Sequence, residues 1–367
     1  MTDAYARAGV DVPAADQAVS ALVGVLKSID TGRASRSVLA SGHYAAILKV
    51  APNLGIAVGT DGVGSKLIVA EQTGRYDTVG IDCIAMNVND VICVGAEPIA
   101  VLDYIAVERA DPGVMREIGV GLKRGAEQAG VEIPGGEVAV LPELIRGHPS
   151  PNGFDLTAAC FGTVALDAIV TGSARRTGDP VLGLPSSGLH SNGYTLARRA
   201  LLEAGGFGLD DRPDGLGGAS VADVLLEPTA IYVRAVLELM AAGIAVRGLA
   251  HITGGGMANL LRLHGDGGWR IDAPLPVPPV FDLIAECSDV PVAQMYEVFN
   301  MGCAFVVVVA PGDERAALDI LGRHHPGSAR IGTVTADTGQ VELPTLGLVG
   351  DARGLRHHDA AREDPRT

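Results

Sequence analysis

The feature that most constrains this chain is a pattern that occurs in both halves: an apolar run, a glycine-rich turn and a helical pattern. In the first half LGIAV is followed by GTDGVGSK (residues 59–66) and LIVAEQT. In the second half PVLGLP is followed by SSGLHSNGY and TLARRALLEAGG. Short apolar runs that end at glycine predict buried strands, and repeated strand–turn–helix units predict an α/β fold. The 367 residues exceed the roughly 250–300 at which a single core usually stops growing, which predicts two domains.

The polar segment VTGSARRTGDP (170–180) is the best candidate for the boundary between these domains. We predict a first domain over residues 1–172, a second over 173–350, and a disordered polar tail over 351–367. Within the first domain, Asp111-Pro112 predicts the start of a helix that ends at Gly130. The other elements predicted there are a helix over 81–98 that ends at Gly95 and strands over 98–107 and 156–166.

Charge and apolar pattern exclude two classes of function. The formal net charge of −15 disfavours general nucleic-acid binding. The apolar run CAFVVVVA (303–310) is far too short to span a bilayer, and the N-terminus is too polar for a signal peptide. The five cysteines show no metal-binding spacing, which predicts reduced, buried thiols and a cytoplasmic location.

The loop GTDGVGSK differs from both common phosphate-binding motifs. Its Lys66 comes one residue too late for a P-loop, and no GxGxxG is present. A bare carboxylate such as Asp61 repels phosphate, but a divalent cation between them reverses the sign of the interaction. Mg²⁺ takes oxygen ligands from one or two carboxylates and from substrate phosphates. The loop therefore predicts a Mg²⁺-nucleotide site with Lys66 as a point charge on phosphate, and a generic glycine turn is the alternative.

A second carboxylate is expected on the helix that follows. Asp82, Asn87, Asn89 and Asp90 fall on one face of this otherwise apolar helix, without a counter-charge. Short acidic and amide side chains suit a hydrated metal, and we take Asp90 as the second metal carboxylate. The alternative is a capping Asp82 with satisfied polar neighbours. Glu137 of PGGE is a third candidate, although PGGE alone is also an ordinary turn.

Two glycine turns of the second half, SSGLHSNGY and TGGG, each lead into a helical pattern. Amide groups at a helix N-terminus form an anion site, so these turns predict a phosphorylated substrate. His190 is the candidate general acid or base, because its ordinary pKa lies near neutrality. His251 is a weaker candidate, with packing at a strand end as its expected role. Asn300 could donate to a substrate carbonyl or serve a turn.

No GxSxG elbow is present and no cysteine lies in a polar loop. The chemistry expected is phosphoryl transfer by positioning and charge stabilisation, without a covalent enzyme intermediate.

The ordered set of these segments resembles one enzyme family, the phosphoribosylformylglycinamidine cyclo-ligases or AIR synthetases. The resemblance covers residues 5–350. It rests on AGVD (8–11), GTDGVGSK, GID-x3-MNVND, GAEP, LDY, GGE, SSGLHSNGY, LEPTAIYV, HITGGG and FNMG, in this order.

The resemblance implies an N-terminal α/β dimerisation domain, a C-terminal α/β domain and a homodimer. It implies ATP-dependent ring closure of formylglycinamidine ribonucleotide to aminoimidazole ribonucleotide, through phosphorylation of the formyl amide oxygen. Asp61, Lys66 and His190 would be catalytic, and Asp61, Asp90 and Glu137 would hold Mg²⁺. The residues implied around the nucleotide are Gly62, Gly64, Ser65, Lys66 and Asn89. Those implied around the substrate are Ser187, Gly188, Ser191, Asn192, Thr253, Gly254, Gly255 and Asn300.

This sequence departs from the family pattern at four places. Ser65 replaces a threonine, GGEVAVLP lacks the second glutamate of its box, His43 and Tyr44 stand where glycine and phenylalanine are common, and FNMGCAF lacks a later glycine. The departures leave open a shifted substrate within the same superfamily of ATP-dependent kinases and ligases. A nucleotide-binding regulator without catalysis is the alternative from another class.

Overall fold

The computed structural model describes residues 12–39, 42–351 and 354–358. The AGVD segment (8–11), residues 40–41 and the end of the predicted tail (359–367) lie outside the described residues. The elements of the first half are α1 (Val12–Leu26), β1 (Ala46–Ala51), β2 (Leu54–Gly62), α2 (Leu67–Thr73), α3 (Val79–Ile92), β3 (Glu97–Val107), α4 (Pro112–Ala129), β4 (Glu132–Val140) and β5 (Phe154–Ala165).

The second half begins with β6 (Pro180–Pro185). Its other elements are α5 (Tyr194–Arg198), α6 (Val221–Leu226), α7 (Val233–Ala241), β7 (Val246–His251), β8 (Gly268–Ile271), α8 (Pro279–Ser288), α9 (Val292–Val298), β9 (Cys303–Val309), α10 (Glu314–His324), β10 (Ala329–Thr335), β11 (Val341–Leu343), β12 (Leu348–Asp351) and β13 (Gly354–His357).

The strands of the first half form one sheet in the order β1-β2-β5-β3-β4, antiparallel except for the parallel β3–β4 pair. Helix α3 packs against one face of this sheet and against α4. The two helices cross closely at glycine, because a Cβ atom on Gly80 would lie 2.2 Å from the amide nitrogen of Leu122. This close crossing holds the polar residues of α3 against the end of β2.

The opposite face of the first sheet, here called the outer face, is apolar and partly open to solvent. Leu48, Leu54, Leu102 and Tyr104 are each 40–43% exposed. Leu48 and Leu54 lie on β1 and β2, and Leu102 and Tyr104 lie on β3. The outer face therefore carries large apolar side chains that the chain itself leaves partly uncovered.

The strands of the second half form another sheet, in the order β13-β12-β11-β8-β10-β6-β9-β7. Every residue of β9 is buried, as expected for the apolar run that ends before Pro311-Gly312. Strand β7 at the edge carries His251 at its end, and β6 leads into the loop before α5. The segment that follows β6 and the end of β7 carry residues that contact the first half.

The predicted two-domain α/β class is confirmed, and the first sheet ends at Ala165 before the second begins at Pro180. Helix α4 begins at Pro112 behind an Asp111 cap and ends before Gly130, as predicted. The predicted helix over 81–98 is shorter, because α3 ends at Ile92 and Gly95 adopts a φ of +75° in the following turn.

The prediction of disorder from residue 351 is wrong for 354–357. These residues form β13, which gains its order from antiparallel pairing with β12. Within the part of the chain that the structure describes, no helix is both long and apolar enough to cross a membrane.

Candidate active site between the two halves

Asp61 lies on a strand and not in a loop, because β2 continues through Gly62. The side chain of Asn87 on α3 bridges to the backbone of Asp61: its Oδ1 accepts the Asp61 amide at 3.0 Å, and its Nδ2 donates to the Asp61 carbonyl at 3.1 Å. The Asp61 carboxylate also accepts the amide of Gly62 at 2.7 Å. Asn87 was predicted to face a hydrated metal, and it instead fixes the backbone that carries the carboxylate.

Asp90 is the member of the polar α3 face that remains partly open, with 21% of its side chain exposed. Its Oδ1 lies 2.8 Å from Nδ1 of His251 at the end of β7. A carboxylate oxygen accepts, so Nδ1 of His251 donates this hydrogen bond, while the other ring nitrogen, Nε2, is buried. Among the described residues, this buried Nε2 has no hydrogen-bond partner. His251 therefore orients Asp90 across the junction of the two halves, a role beyond the strand-end packing expected from the sequence.

The environment of Asp61 suits a bound cation. Burial raises the pKa of the Asp61 carboxyl, and the negative charge of Asp90 raises it further, against the lowering effect of the Gly62 amide. The charges of Asp61 and Asp90 therefore oppose one another, and a cation would stabilise the ionised forms of both carboxylates. In the described ranges, no three or more His, Cys, Asp or Glu side chains are arranged so that they could hold a metal ion by themselves. Two carboxylates fit Mg²⁺ that keeps water and phosphate oxygens as its other ligands.

Glu137 does not join this pair within one chain. The register pairs Asp103 with Ala158 and Gly136, and Ala158 with Asp61, so these four residues share the sheet face toward α3. Glu137 is the next residue after Gly136, and strand alternation directs it to the outer face. The predicted third metal carboxylate is thus on the wrong side of the sheet. Gly136 serves local packing, since its added Cβ would lie 2.4 Å from the Asp103 carboxylate.

The position of Lys66 in the structure contradicts the prediction that it contacts phosphate. Its ammonium is fully buried and lies 2.8 Å from Oδ2 of Asp82, which is equally buried. It donates to Oδ1 of Asp82 at 2.9 Å, to the carbonyl of His190 at 3.2 Å and to the carbonyl of Glu227 at 2.6 Å. An ammonium group has three donors, and all three are used here. Asp82 is therefore the counter-charge of Lys66 and not a metal ligand.

The other residues predicted around the nucleotide all belong to the first half, and two of them contact residues of the second half. Gly62 is partly exposed beside Asp61, and Gly64, with a φ of +72°, is exposed. Ser65 contacts Thr195 of the second half at 3.3 Å between hydroxyl oxygens. Asn89 is buried, donates to the carbonyl of Ala230 at 2.9 Å and accepts the amide of Tyr232 at 3.0 Å. Ser65 and Asn89 thus join the halves.

His190 is held in a form that does not suit proton exchange near neutrality. Its Nε2 accepts the amides of Ser187 at 3.2 Å and Ala230 at 3.5 Å, so Nδ1 carries the proton. Burial lowers the pKa of His190 well below 6.5, and the nearby His251 and Lys66 lower it further. The geometry contradicts the expected acid or base role and leaves a neutral imidazole whose buried Nδ1–H has no partner among the described residues.

The substrate residues predicted in the second half come together. Ser187 is exposed, while Asn192 is partly buried and its Oδ1 would lie 3.2 Å from a Cβ atom on Gly254. The SSGLHSNGY loop and the TGGG turn therefore touch at Asn192 and Gly254. Thr253 follows His251 by two residues, which places this turn beside Asp90.

Other predicted substrate residues support the loop from behind. Asn300 is buried, donates to the carbonyl of Gly188 at 2.8 Å and accepts the amide of Gly302 at 2.9 Å. Ser191 is buried and its hydroxyl lies 3.2 Å from that of Thr229. These side chains fix the loop backbone and do not face an open surface.

The helices behind the two glycine turns are shorter than predicted. Helix α5 spans five residues and continues as a π-helical turn over Arg199–Ala204, and a 3₁₀ segment over Gly256–Arg262 follows TGGG. Such short segments carry a weak helix dipole, so anion binding at these turns depends on individual amides and side chains.

The sequence reasoning missed an exposed cation at this site. Arg262 is exposed, its guanidinium carbon lies 5.2 Å from the centre of the Tyr44 ring, and its charge helps to lower the pKa of Asp61. Tyr44 is fixed in turn, because its hydroxyl donates to the carbonyl of Asn259 at 3.0 Å. Only the fold brings residues 44 and 262 together, so no local motif could have indicated the pair.

Comparison with known proteins gives two family matches along the chain. The model of the AIR synthase related protein, N-terminal domain, matches residues 42–164, and that of the C-terminal domain matches residues 176–343. The phosphoribosylformylglycinamidine cyclo-ligase of Methanothermobacter thermautotrophicus is 49% identical over 341 residues, covering 92% of this chain and 96% of the relative. The enzyme of the same name from Bifidobacterium longum is 43% identical over 283 residues, covering 76% of this chain and 81% of the relative.

Solved structures of the same fold are more distant in sequence. AaThiL complexed with AMPPCP and TMP has a TM-score of 0.58 and 18% identity, covering 89% of this chain and 92% of that chain. The hydrogenase maturation protein HypE in complex with ATP has a TM-score of 0.56 and 21% identity, covering 85% and 86% of the two chains. These similarities show the fold of the chain.

Proposed function

The chain belongs to the AIR synthase related family of phosphoribosylformylglycinamidine cyclo-ligases, and from this premise we propose that it closes the imidazole ring of aminoimidazole ribonucleotide. The substrate is formylglycinamidine ribonucleotide, and ATP is converted to ADP and phosphate. The formyl amide oxygen is phosphorylated, the amidine nitrogen attacks the activated carbon, and phosphate leaves. Phosphorylation is required because an amide oxygen is otherwise a poor leaving group.

The observation that carries the proposal is the placement of Asp61 at the end of β2 and of Asp90 on α3, where the charge of Asp90 helps to raise the pKa of Asp61. Their carboxylates fit Mg²⁺ bound to nucleotide phosphates, and Mg²⁺ would supply charge neutralisation for phosphoryl transfer. His251 holds Asp90 through Oδ1, and Asn87 holds the backbone of Asp61. The exposed guanidinium of Arg262 is suited to a phosphate oxygen on the same side.

The substrate is proposed to lie against the SSGLHSNGY loop and the TGGG turn. Ser187, Asn192 and the exposed Gly254 offer hydroxyl, amide and backbone groups there. The neutral His190 is a fixed part of this loop and transfers no proton. Its loop would therefore contribute to binding and orientation of the reacting amide.

The activity assay uses the purified full chain with Mg-ATP and formylglycinamidine ribonucleotide, and measures ADP and aminoimidazole ribonucleotide in the same sample. We expect equal amounts of both products and none without the substrate. Lys123→Met is the matched control, because Lys123 is 71% exposed on α4 and should behave as wild type. Formation of ADP with another phosphorylated superfamily substrate, but without the imidazole product here, would refute the proposed reaction.

A homodimer through the outer face is also part of the proposal. The apolar side chains of Leu48, Leu54, Leu102 and Tyr104 remain partly exposed on one continuous sheet. Burial of such surface is favourable at about 25 cal/mol per Å², so a second copy that covers it would be stabilised. The sheet face is the same on both copies, as a two-fold interface requires.

Light scattering after size-exclusion chromatography tests this dimer. Tyr104→Glu places a charge in the outer face and is expected to shift the mass toward one chain. Leu144→Glu is the matched control, because Leu144 is 77% exposed outside the sheet and should leave the mass unchanged. A wild-type mass of one chain would contradict the dimer.

We place the enzyme in the cytoplasm, on the basis of its cysteines. All five are free thiols, and four of them are buried. Such thiols persist in a reducing compartment. Fractionation of the producing cells, with antibody detection, measures the location directly.

A further inference from the structure

We propose that Lys66 and Asp82 act as positioning residues that fix the SSGLHSNGY loop against the first half, and that Lys66 contributes nothing directly to nucleotide binding. This inference rests on the proposed function for its kinetic readout and on geometry for everything else. It assigns a role in substrate affinity to an ion pair that lies inside the molecule.

The ammonium of Lys66 has no donor left for a phosphate. Its three donors go to the carboxylate of Asp82 and to the carbonyls of His190 and Glu227. A phosphate could be bound only if one of these partners were given up in a site with no solvent to replace it. Burial already lowers the pKa of Lys66, against the opposing effect of Asp82.

The partners of Lys66 come from both halves of the chain. Asp82 lies on α3 of the first half, whereas His190 and Glu227 belong to the second half. Asp82 also accepts from the amide of Thr229 at 2.8 Å and from its hydroxyl at 2.6 Å. The buried pair therefore binds two separate segments of the second half, the SSGLHSNGY loop and the segment LEPT, to a single helix.

The same hydrogen-bond network continues toward the residues proposed to bind substrate. The hydroxyl of Ser187 donates to the carbonyl of Pro228 at 2.5 Å, and Nε2 of His190 accepts the amides of Ser187 and Ala230. The exposed Ser187 is thus positioned by the segment that Lys66 and Thr229 hold. Loss of the ion pair should let this loop move while Asp61 and Asp90 stay in place through Asn87 and His251.

The test is the double variant Lys66→Met with Asp82→Asn, which removes both charges and leaves no unpaired ion in the interior. We expect the Kd of trinitrophenyl-ATP with Mg²⁺ to stay within about threefold of wild type. The KM for formylglycinamidine ribonucleotide should rise at least about tenfold, with a smaller change in kcat. Lys123→Met again controls for removal of a lysine charge.

A second readout does not require turnover. Amide hydrogen exchange of the peptide over residues 186–193 should be at least about tenfold faster in the double variant. The reason is that the carbonyl of His190 loses its hydrogen bond from Lys66, and the neighbouring LEPT segment loses its ionised acceptor at Asp82. This measurement remains valid if the protein acts on another substrate, so failure of the proposed reaction and failure of this inference are distinguishable.

A milder pair of variants covers the case in which the double variant does not fold. Thr229→Val removes the hydroxyl that contacts Asp82, and Thr229→Ser keeps it. We expect Thr229→Val to raise substrate KM and loop exchange, and Thr229→Ser to restore both. Nucleotide Kd weakened by tenfold or more with substrate KM unchanged would overturn the inference, as would no change in either KM or loop exchange.

Discussion

Replacing Asp61 by asparagine should separate activity from stability at this site. Asparagine has nearly the same shape, and its Oδ1 can still accept the Gly62 amide that the carboxylate accepts at 2.7 Å. Its second polar atom is an NH₂ donor, which a cation repels. The substitution therefore removes the charge of one metal ligand and leaves the strand end and the Asn87 bridge intact.

The expected loss of activity follows from the charge removed. Two unit charges about 4 Å apart interact with about 4 kcal/mol at an effective dielectric constant of 20. Loss of a preorganised charge contact in an active site typically costs about 3–4 kcal/mol, which corresponds to a kcat about 10²–10³-fold lower. A titration with Mg²⁺ that monitors ADP and aminoimidazole ribonucleotide measures this loss.

The stability of Asp61→Asn should be unchanged or increased. Burial raises the pKa of Asp61 above its ordinary value of 3.8, so its contribution to stability is greatest below pH 3.8 and is lost as pH rises through the folded pKa. The ionised carboxylate thus destabilises the fold at pH 7 in the absence of a cation. A kcat within about threefold of wild type at saturating Mg²⁺ would refute the metal role, and marked unfolding would refute the electrostatic reasoning.

Three further predictions concern the junction and two histidines. Lys66→Met alone should lower the free energy of unfolding by roughly 3–5 kcal/mol, because it leaves Asp82 as an unpaired buried charge. Urea titration should show that the addition of Asp82→Asn restores much of this stability. Equal losses in the single and the double variant would contradict the charge argument. Because burial lowers the pKa of His190, ¹⁵N NMR should show a neutral ring protonated at Nδ1 from pH 8 to pH 6, whereas an imidazolium signal in that range would disprove the assignment. Burial also lowers the pKa of His325 to about 4, so its contribution to stability is present above pH 6.5 and is lost as pH falls toward 4. His325→Gln should flatten the dependence of the free energy of unfolding on pH in this range. An unchanged pH dependence would show that His325 is not responsible for it.

The fold and much of the catalytic chemistry could be predicted because they depend on local pattern. Apolar runs, caps and glycine stops predicted β3, β5, β9 and α4, since strand and helix periods are properties of a few consecutive residues. Asp61 and Asp90 were also predicted, because unpaired short carboxylates in apolar surroundings need a cation. Their role as metal ligands stays a prediction.

The role of Lys66 could not be read from the loop that contains it. In sequence it stands beside three glycines, a setting typical of phosphate binding, and its counter-charge Asp82 is 16 residues away. Its carbonyl partners are 124 and 161 residues away. Hydrogen bonds at such separations depend on how the halves pack, which no local pattern encodes.

The sequence by itself determined the family and the two α/β halves, because these follow from local periodicity and from an ordered set of motifs. Only the tertiary structure decided which polar residues face an open site. It placed Glu137 on the far side of its sheet, buried His190 as a neutral ring and gave Asp90 a partner in His251. The physical reason is that charge, burial and hydrogen bonding are set by neighbours in space, and those neighbours come from both halves of the chain.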